Sequence, residues 1–386
     1  MSRFRPGFVA PTFRPRRLFL SGEDGIWLDP SDPSTLFQDA AGTVPAGVDD
    51  PVGLILDKSA GLAETLVHDE DFSTDTSGDW TSRYGSAGSI DWDSGNEELD
   101  LVNGTGWDFR YRTVATVAGA WYRIAAEIAA ISGAAGSNYL FGPDWTGGFG
   151  GAGGLLQLTG FGAGGTAVAY FRATGTTGKV GIHQKNNGGT VSLARLQVHR
   201  VAGVHVWQQF TAKRATLRAD ANGNRYLEGD GASTILTTSS FSVGGADILV
   251  AAAVKFDNVA SLNVLIGEND ATNVDWRFAA PGDGNLEVQY SGAALSVGTG
   301  QTDICALSAT HYGTDWDGYR NGVSLGGPLS VAKADSVAAM TLFARGDEDL
   351  HSNGRIHGLV VVKAQKTDAD RRALERWMAG KAGVAP

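Results

Sequence analysis

Apolar residues along this chain of 386 residues fall in short runs with period two, and the three-and-four spacing of a helix is nearly absent. Side chains on a strand alternate between its two faces, so this pattern predicts half-buried strands. In the middle of the chain Leu99 and Leu101 lead into an Asn103-Gly104 turn signal, and Trp121, Arg123 and Ala125 oppose Tyr122, Ile124 and Ala126. Strand-like runs then follow over 247–255, 262–267, 274–279, 285–290, 303–309, 316–325, 339–344 and 355–362. Short strands punctuated by turns predict a sandwich, and Asn321-Gly322 supplies the positive φ of one tight hairpin. Only the end of the chain reads as a helix, over 367–382: Thr367 caps it, acids lie early and bases late, and Leu374, Trp377 and Met378 share one face. The expected fold class is all-β: two β-sandwich (jelly-roll) domains with an extended N-terminal arm and one C-terminal helix.

Composition fits that class, because 54 glycines are about twice the ordinary share and favour many tight turns. A single cysteine, Cys305, rules out an internal disulfide framework and reads as a buried thiol. No apolar run reaches the roughly 20 residues of a spanning helix, so neither membrane insertion nor an export leader is expected. The net charge of −11 disfavours nucleic acid as a partner of the main body. Residues 1–20 stand apart. Arg3, Arg5, Arg14, Arg16 and Arg17 alternate with prolines and with Phe4, Phe8 and Phe13, and no acid precedes Glu23. Such a mixture cannot close a core, and predicts an arm that docks on an acidic partner through Arg3, Arg5, Phe8, Phe13, Arg14, Arg16 and Arg17 while adding nothing to the folding of the sandwiches.

Residues 25–59 carry Trp27-Leu28-Asp29-Pro30-Ser31-Asp32 and then Gly53-Leu54-Ile55-Leu56-Asp57-Lys58-Ser59. This pair of motifs resembles the opening of tail-associated and appendage proteins (tail fibres or head spikes) of phages and gene transfer agents, where it precedes a laminin-G-like domain. The resemblance implies a concanavalin A-like lectin domain, a place on the particle surface after synthesis in the bacterial cytoplasm, and capsid, tail or baseplate proteins as partners. In that family the lysine-serine motif runs straight into the lectin-like domain, whereas here roughly 140 residues intervene. An inserted domain is therefore expected over 66–203, with 21–65 joining 204–386 in the lectin-like sandwich. Within the insertion, the stretches Asp71-Phe72-Ser73, Trp121-Tyr122-Arg123-Ile124 and Val191-Ser192-Leu193 resemble a carbohydrate-binding jelly roll of the kind appended to polysaccharide hydrolases. Modules of that kind commonly hold a structural calcium, which the resemblance would place at Glu70, Asp71, Asp75 and Asp79. Ala194 and Arg195 stand where a closing aspartate would be expected, and no other cofactor is implied.

A pyranose has one apolar C–H face and a rim of hydroxyls, so a site for it needs an exposed flat ring with amide or carboxylate neighbours. Trp80, Tyr84, Trp92, Trp107, Tyr139 and Trp145 lie near glycine-bounded polar stretches and are interleaved with Asp108, Asn138 and Asp144; these rings with Asp108 and Asp144 form the candidate glycan set. Trp121, inside a strand, reads as core. A glucanase reading needs paired carboxylates, and Glu268-Asn269-Asp270 offers two acids with Asn273 where a third would stand. The glycine-rich Gly148-x-Gly150-x-x-Gly153 lacks the strand and helix of a nucleotide site, and the histidines show no metal spacing. The sequence thus reads as a non-enzymatic particle-surface adhesin for bacterial surface polysaccharide, acting as a homo-oligomer or in many displayed copies. The alternative is a purely structural appendage or baseplate component.

Overall fold

The computed structural model describes residues 13–20, 22–83, 88–104, 106–133, 138–142, 156–185, 188–238, 241, 243, 245–269, 274–299, 302–333 and 339–384. The fold is all-β with one C-terminal helix, Asp368–Ala382. Its antiparallel sheets form two sandwiches. A ten-stranded and a nine-stranded sheet enclose one core, and a six-stranded and a five-stranded sheet enclose another. The larger sandwich draws on both ends of the chain: Gly25–Leu28 pairs with Asn353–Val362, Pro51–Val52 with Ala215–Ala219, and Leu54–Ile55 with Val206–Trp207. Strands from Glu64–Glu70 to Thr190–Val201 build the smaller one, and these two boundary strands pair with each other.

The ten-stranded sheet is covered on both faces, which explains why Ile248–Phe256 is an almost unbroken apolar run. Ile248, Val250, Ala252 and Val254 face the sandwich core, while Leu249, Ala251 and Ala253 lie under Leu374 and Met378 of the helix. Thr367 caps that helix by accepting the Asp370 N–H at 3.1 Å, and Gly383 closes it at φ 68°. The same outer face receives the end of the N-terminal arm, and here the expectation of a detached peptide needs correcting. Pro15–Phe19 forms a short 3-10 turn with Leu18 and Phe19 buried, and Phe13 packs beside them. Arg16 donates to the Ser59 carbonyl and Arg17 pairs with Asp370 at 2.8 Å, while Arg14 is exposed. Arg3, Arg5 and Phe8 lie outside the described residues. Aromatic and aliphatic residues near a chain end find the nearest uncovered apolar surface, and the strip beside the helix is one. Leu18→Ala is accordingly expected to cost about 2–3 kcal/mol, the lower part of the range for a buried leucine because a chain end can settle into the gap. Urea denaturation measures it.

The Asp-Lys-Ser motif closes the base of the smaller sandwich. Asp57 is fully buried and its carboxylate accepts from Trp27 N–H at 2.7 Å, Ser59 N–H at 2.8 Å, Ser59 Oγ at 2.6 Å and Val204 N–H at 2.8 Å. One side chain thus joins a strand of the larger sandwich to the segment by which the chain returns. Lys58 bridges Asp29 and Asp32 and lies 4.5 Å over the Trp27 ring, whose other neighbour is Trp377. Lys381 of the helix reaches Asp29 as well, at 2.9 Å. Both halves of the sequence motif are therefore staples around Trp27. Trp121 is core, as expected, in a small cluster of its own: it packs with Leu54 and Leu56 of the larger sandwich, and with His205 and Trp207 edge-on. Gly42 completes this contact: at φ 63° a side chain would be strained, and its Cβ would lie 2.5 Å from the Tyr170 ring.

Burial pushes the His205 pKa down to about 3 and that of His357 down to about 4. His205 Nδ1 accepts the Asp57 N–H at 3.0 Å, a bond that only the neutral ring can make. For His357, Asp220 pulls upward and Arg355 downward, both less than burial. Unfolded histidine titrates near 6.5, so as pH falls below that value the unfolded chain gains protons the folded one refuses. Each ring then removes about 2 kcal/mol of stability by pH 5. Asp57 acts with the opposite sign: burial raises its pKa to about 6, so its protonation stabilises the fold as pH falls through that value and offsets part of the loss. The expected net result is a melting temperature lower at pH 5 than at pH 7, with a shallower slope in His357→Phe.

Candidate functional site

The five-stranded sheet of the smaller sandwich contains Trp107–Ala115, Thr177–Lys185, Asn138–Phe141, Leu156–Gln157 and Thr81–Ser82. Along Trp107–Ala115 the odd positions face outward and the even positions face the core, where Val114 packs. The outward set is Trp107, Phe109, Tyr111 and Thr113. Register carries the same face across the sheet: Phe109 lies opposite His183, which lies opposite Tyr139, which lies opposite Gln157. The rings form one patch. Phe109 stacks on His183 at 4.1 Å and meets Phe141 edge-on at 5.5 Å, while Trp107 and Tyr139 flank His183 at 5.8 and 5.9 Å. Phe109, Phe141 and His183 are buried beneath their neighbours, but Trp107 is 41% exposed and Tyr111 and Tyr139 are half-buried.

Tyr111 lies opposite Gly181, where a Cβ would come within 2.1 Å of the Arg110 carbonyl oxygen. Among the described residues the outer face therefore carries no side chain between Tyr111 and Phe141, a shallow furrow between the half-buried Tyr111 ring and the buried Phe141 ring. Gln157, the Tyr139 hydroxyl and Lys179 stand along its margins; Lys179 Nζ is 4.7 Å over the Tyr111 ring.

The inward set of the same strand is unusual. Asp108 and Arg110 are buried in the interior and paired at 3.0 Å, Ser82 donates to Asp108 at 2.7 Å, and Arg110 reaches the Ser89 carbonyl. A strand whose rings face out and whose ion pair faces in reverses the ordinary burial preference, and burying such a pair costs desolvation that its partners only partly return.

The sequence-derived glycan set divides accordingly. Trp107 and Tyr139 meet on the patch. Trp80 is core, its Nε1 donating to Glu70 at 3.1 Å, and Trp92 packs against the same core with its Nε1 on the Phe72 carbonyl at 2.8 Å. Trp80 is thereby closed to a ligand, and Trp92 is half-buried with its N–H already satisfied. Asp108 points inward. Tyr84, Asp144 and Trp145 lie outside the described residues. Tyr111, Phe109, Phe141, His183, Gln157 and Lys179 were missed; the signal was the ring at every second position from 107 to 111.

The calcium acids do not converge. Glu70 is taken up by Trp80, His68 and Arg112; Asp79 by Arg112; Asp71 and Asp75 each accept from a serine two residues on. With Arg112 between the two acids that come nearest, the cation position is already filled, and among the described residues no cluster of three metal-type ligands occurs.

A larger cleft of about 600 Å³ lies beside the arm, lined by Arg16, Phe19, Glu23, Ser59, Gly203 and Lys363. Its walls offer no exposed ring pair, and Glu23 is paired with Lys366.

No family model matches the chain, and no similar protein is found among curated ones. Solved structures similar to it include Trypanosoma rangeli sialidase in complex with sialic acid, at 12% identity over 48% of this chain and 32% of that one, TM-score 0.36. The binding domain of Paraclostridial Mosquitocidal Protein 1 is similar at 11% identity over 44% of this chain and 49% of that one, TM-score 0.33. The chain thus spans about a third to a half of the chains it matches. One expectation is corrected by them. Sialidases stand among these structures, so the reading of the chain as non-enzymatic is withdrawn. Of the incomplete acid pattern behind that reading, Glu268 is buried and accepts the Val243 N–H at 3.1 Å, and Asp270 and Asn273 lie outside the described residues.

Proposed function

We propose that the chain binds glycan on the outer face of its five-stranded sheet, and that it does so as a multi-copy surface component of a phage or gene-transfer-agent particle adhering to bacterial polysaccharide. The observation that carries the binding reading is the reversed strand Trp107–Ala115, which puts Trp107 and Tyr111 outward and an ion pair inward. Rings on a flat face match the C–H face of a pyranose, and the amide and hydroxyl groups beside them match its rim. A furrow without side chains at Gly181 suits a linear polymer lying on the sheet surface better than a small enclosed ligand.

The particle setting rests on the opening motifs around Trp27 and Asp57, and attachment on residues 1–12 with Arg3, Arg5 and Phe8. A shallow site binds weakly one copy at a time, and display in many copies raises apparent affinity by roughly 10²–10⁴ fold when geometry allows simultaneous contact. The test is retention of the protein, multimerised on beads, on host capsular or envelope polysaccharide. Absence of retention across a glycan array would leave the structural-component reading in its place.

A further inference from the structure

We propose that the polymer recognised on this face is anionic, a uronate- or otherwise acid-bearing polysaccharide, with Lys179 as the group that selects it; this rests on the glycan reading above. The charge distribution carries the argument. The whole chain is at −11, yet the strands of the five-stranded sheet contain four cations, Arg110, Arg112, Lys179 and Lys185, and one acid, Asp108. That one acid faces the interior, where it pairs with Arg110. Arg112, also inward, is matched by Glu70 and Asp79. No carboxylate belongs to an outward position of these strands, so on this face an acidic sugar meets no repulsion from the sheet itself.

Lys179 is outward, exposed, and among the described residues pairs with no carboxylate; its neighbour is the Tyr111 ring. Half-buried cations elsewhere are matched, as Arg195 is by Asp69, Arg218 by Asp49 and Glu228, and Lys213 by Glu348, whereas the exposed Arg14, Arg200 and Arg376, like Lys179, have no carboxylate partner among the described residues. What sets Lys179 apart from these is its place beside the aromatic face, over Tyr111, where its charge is open to an external carboxylate. The ring also holds the ammonium at the furrow's margin, which reduces the side-chain freedom to be lost when a ligand carboxylate pairs with it. The strand separation between the Tyr111 and Trp107 positions, about 13 Å along the backbone, lets one sugar stack on Trp107 while a carboxylate further along the polymer reaches Lys179.

The experiment compares the full chain on beads with alginate, a polyuronate, and with neutral dextran, for wild type, Lys179→Gln and Trp107→Ala. The expected result is stronger binding to alginate than to dextran at about 50 mM salt, where charge pairing is weakly screened, a preference that Lys179→Gln reduces about five- to tenfold because alginate binding falls by that factor more than dextran binding, and loss of both in Trp107→Ala. Lys179→Gln keeps a long polar chain on an exposed strand position, so folding is retained, and an unchanged melting temperature checks this. An alginate preference equal in wild type and Lys179→Gln, with Trp107→Ala abolishing binding, overturns the charge assignment and leaves the face reading standing. Binding undiminished in Trp107→Ala overturns both.

Discussion

Asp57→Ala is expected to lower the melting temperature by about 10 °C, the consequence of losing roughly 3–5 kcal/mol in a sandwich of this size. The carboxylate satisfies Trp27 N–H, Ser59 N–H, Ser59 Oγ and Val204 N–H in a place water does not reach. Alanine leaves the three backbone donors without an acceptor, while the Ser59 hydroxyl keeps the Gly25 carbonyl at 3.1 Å, and each unsatisfied buried group carries a desolvation penalty of about 1–3 kcal/mol, softened as the backbone shifts. Asp57→Asn keeps one acceptor oxygen and removes the buried charge, so it is expected to lose less than alanine. Because Val204 begins the return from the smaller sandwich, the loss should also open residues 202–204 to limited proteolysis. Calorimetry of the two variants measures the effect, and a shift under about 2 °C in both, equivalent to well under the cost of one unsatisfied donor, would show that the junction does not depend on this carboxylate.

Trp107→Ala together with Tyr139→Ala is expected to abolish retention on host polysaccharide. Each exposed ring contributes about 1–2 kcal/mol of stacking and apolar contact, so one removal weakens a single site about tenfold and two about a hundredfold. Avidity multiplies the change, because every copy on a bead loses the same increment. Both positions are outward and partly exposed, so the fold is expected to survive; Trp92→Phe, against the core, serves as the control that perturbs packing and leaves binding intact. Surface plasmon resonance on immobilised polysaccharide separates the two variants, and equal retention of the double variant and wild type would remove the patch from consideration.

Period two was enough to read the strands, the Asn321-Gly322 hairpin and the Thr367-capped helix, because each is set by neighbours a few residues away. Asn321 at φ 48° and Gly322 at φ 80° adopt the left-handed backbone that this dipeptide tolerates best. What periodicity does not contain is which face of a strand is inside. Trp107, Phe109 and Tyr111 share a face by alternation alone, but the ordinary preference would have turned it inward and Asp108 outward; the opposite holds because Ser82 and Arg110 supply Asp108 with partners in the interior. Trp80 is core for the converse reason: polar sequence around it signalled exposure, while Glu70, brought in by the fold, lets its indole be covered; Trp92 is half-buried, with its N–H on the Phe72 carbonyl. The arm was misread because its own residues cannot form a core, which says nothing of a strip of ten-stranded sheet left open more than 200 residues downstream.

The most direct test of glycan binding on this sheet is two-dimensional NMR of the protein labelled with ¹⁵N, titrated with fragments of host surface polysaccharide, with the Trp107 indole signal assigned from its absence in Trp107→Phe. The account predicts progressive shifts of the Trp107 indole and of the Gly181 amide in the furrow, with the buried indoles of Trp80, Trp276 and Trp316 unmoved. Shifts confined to other parts of the molecule, with Trp107 and Gly181 unchanged at saturating polysaccharide, would contradict it.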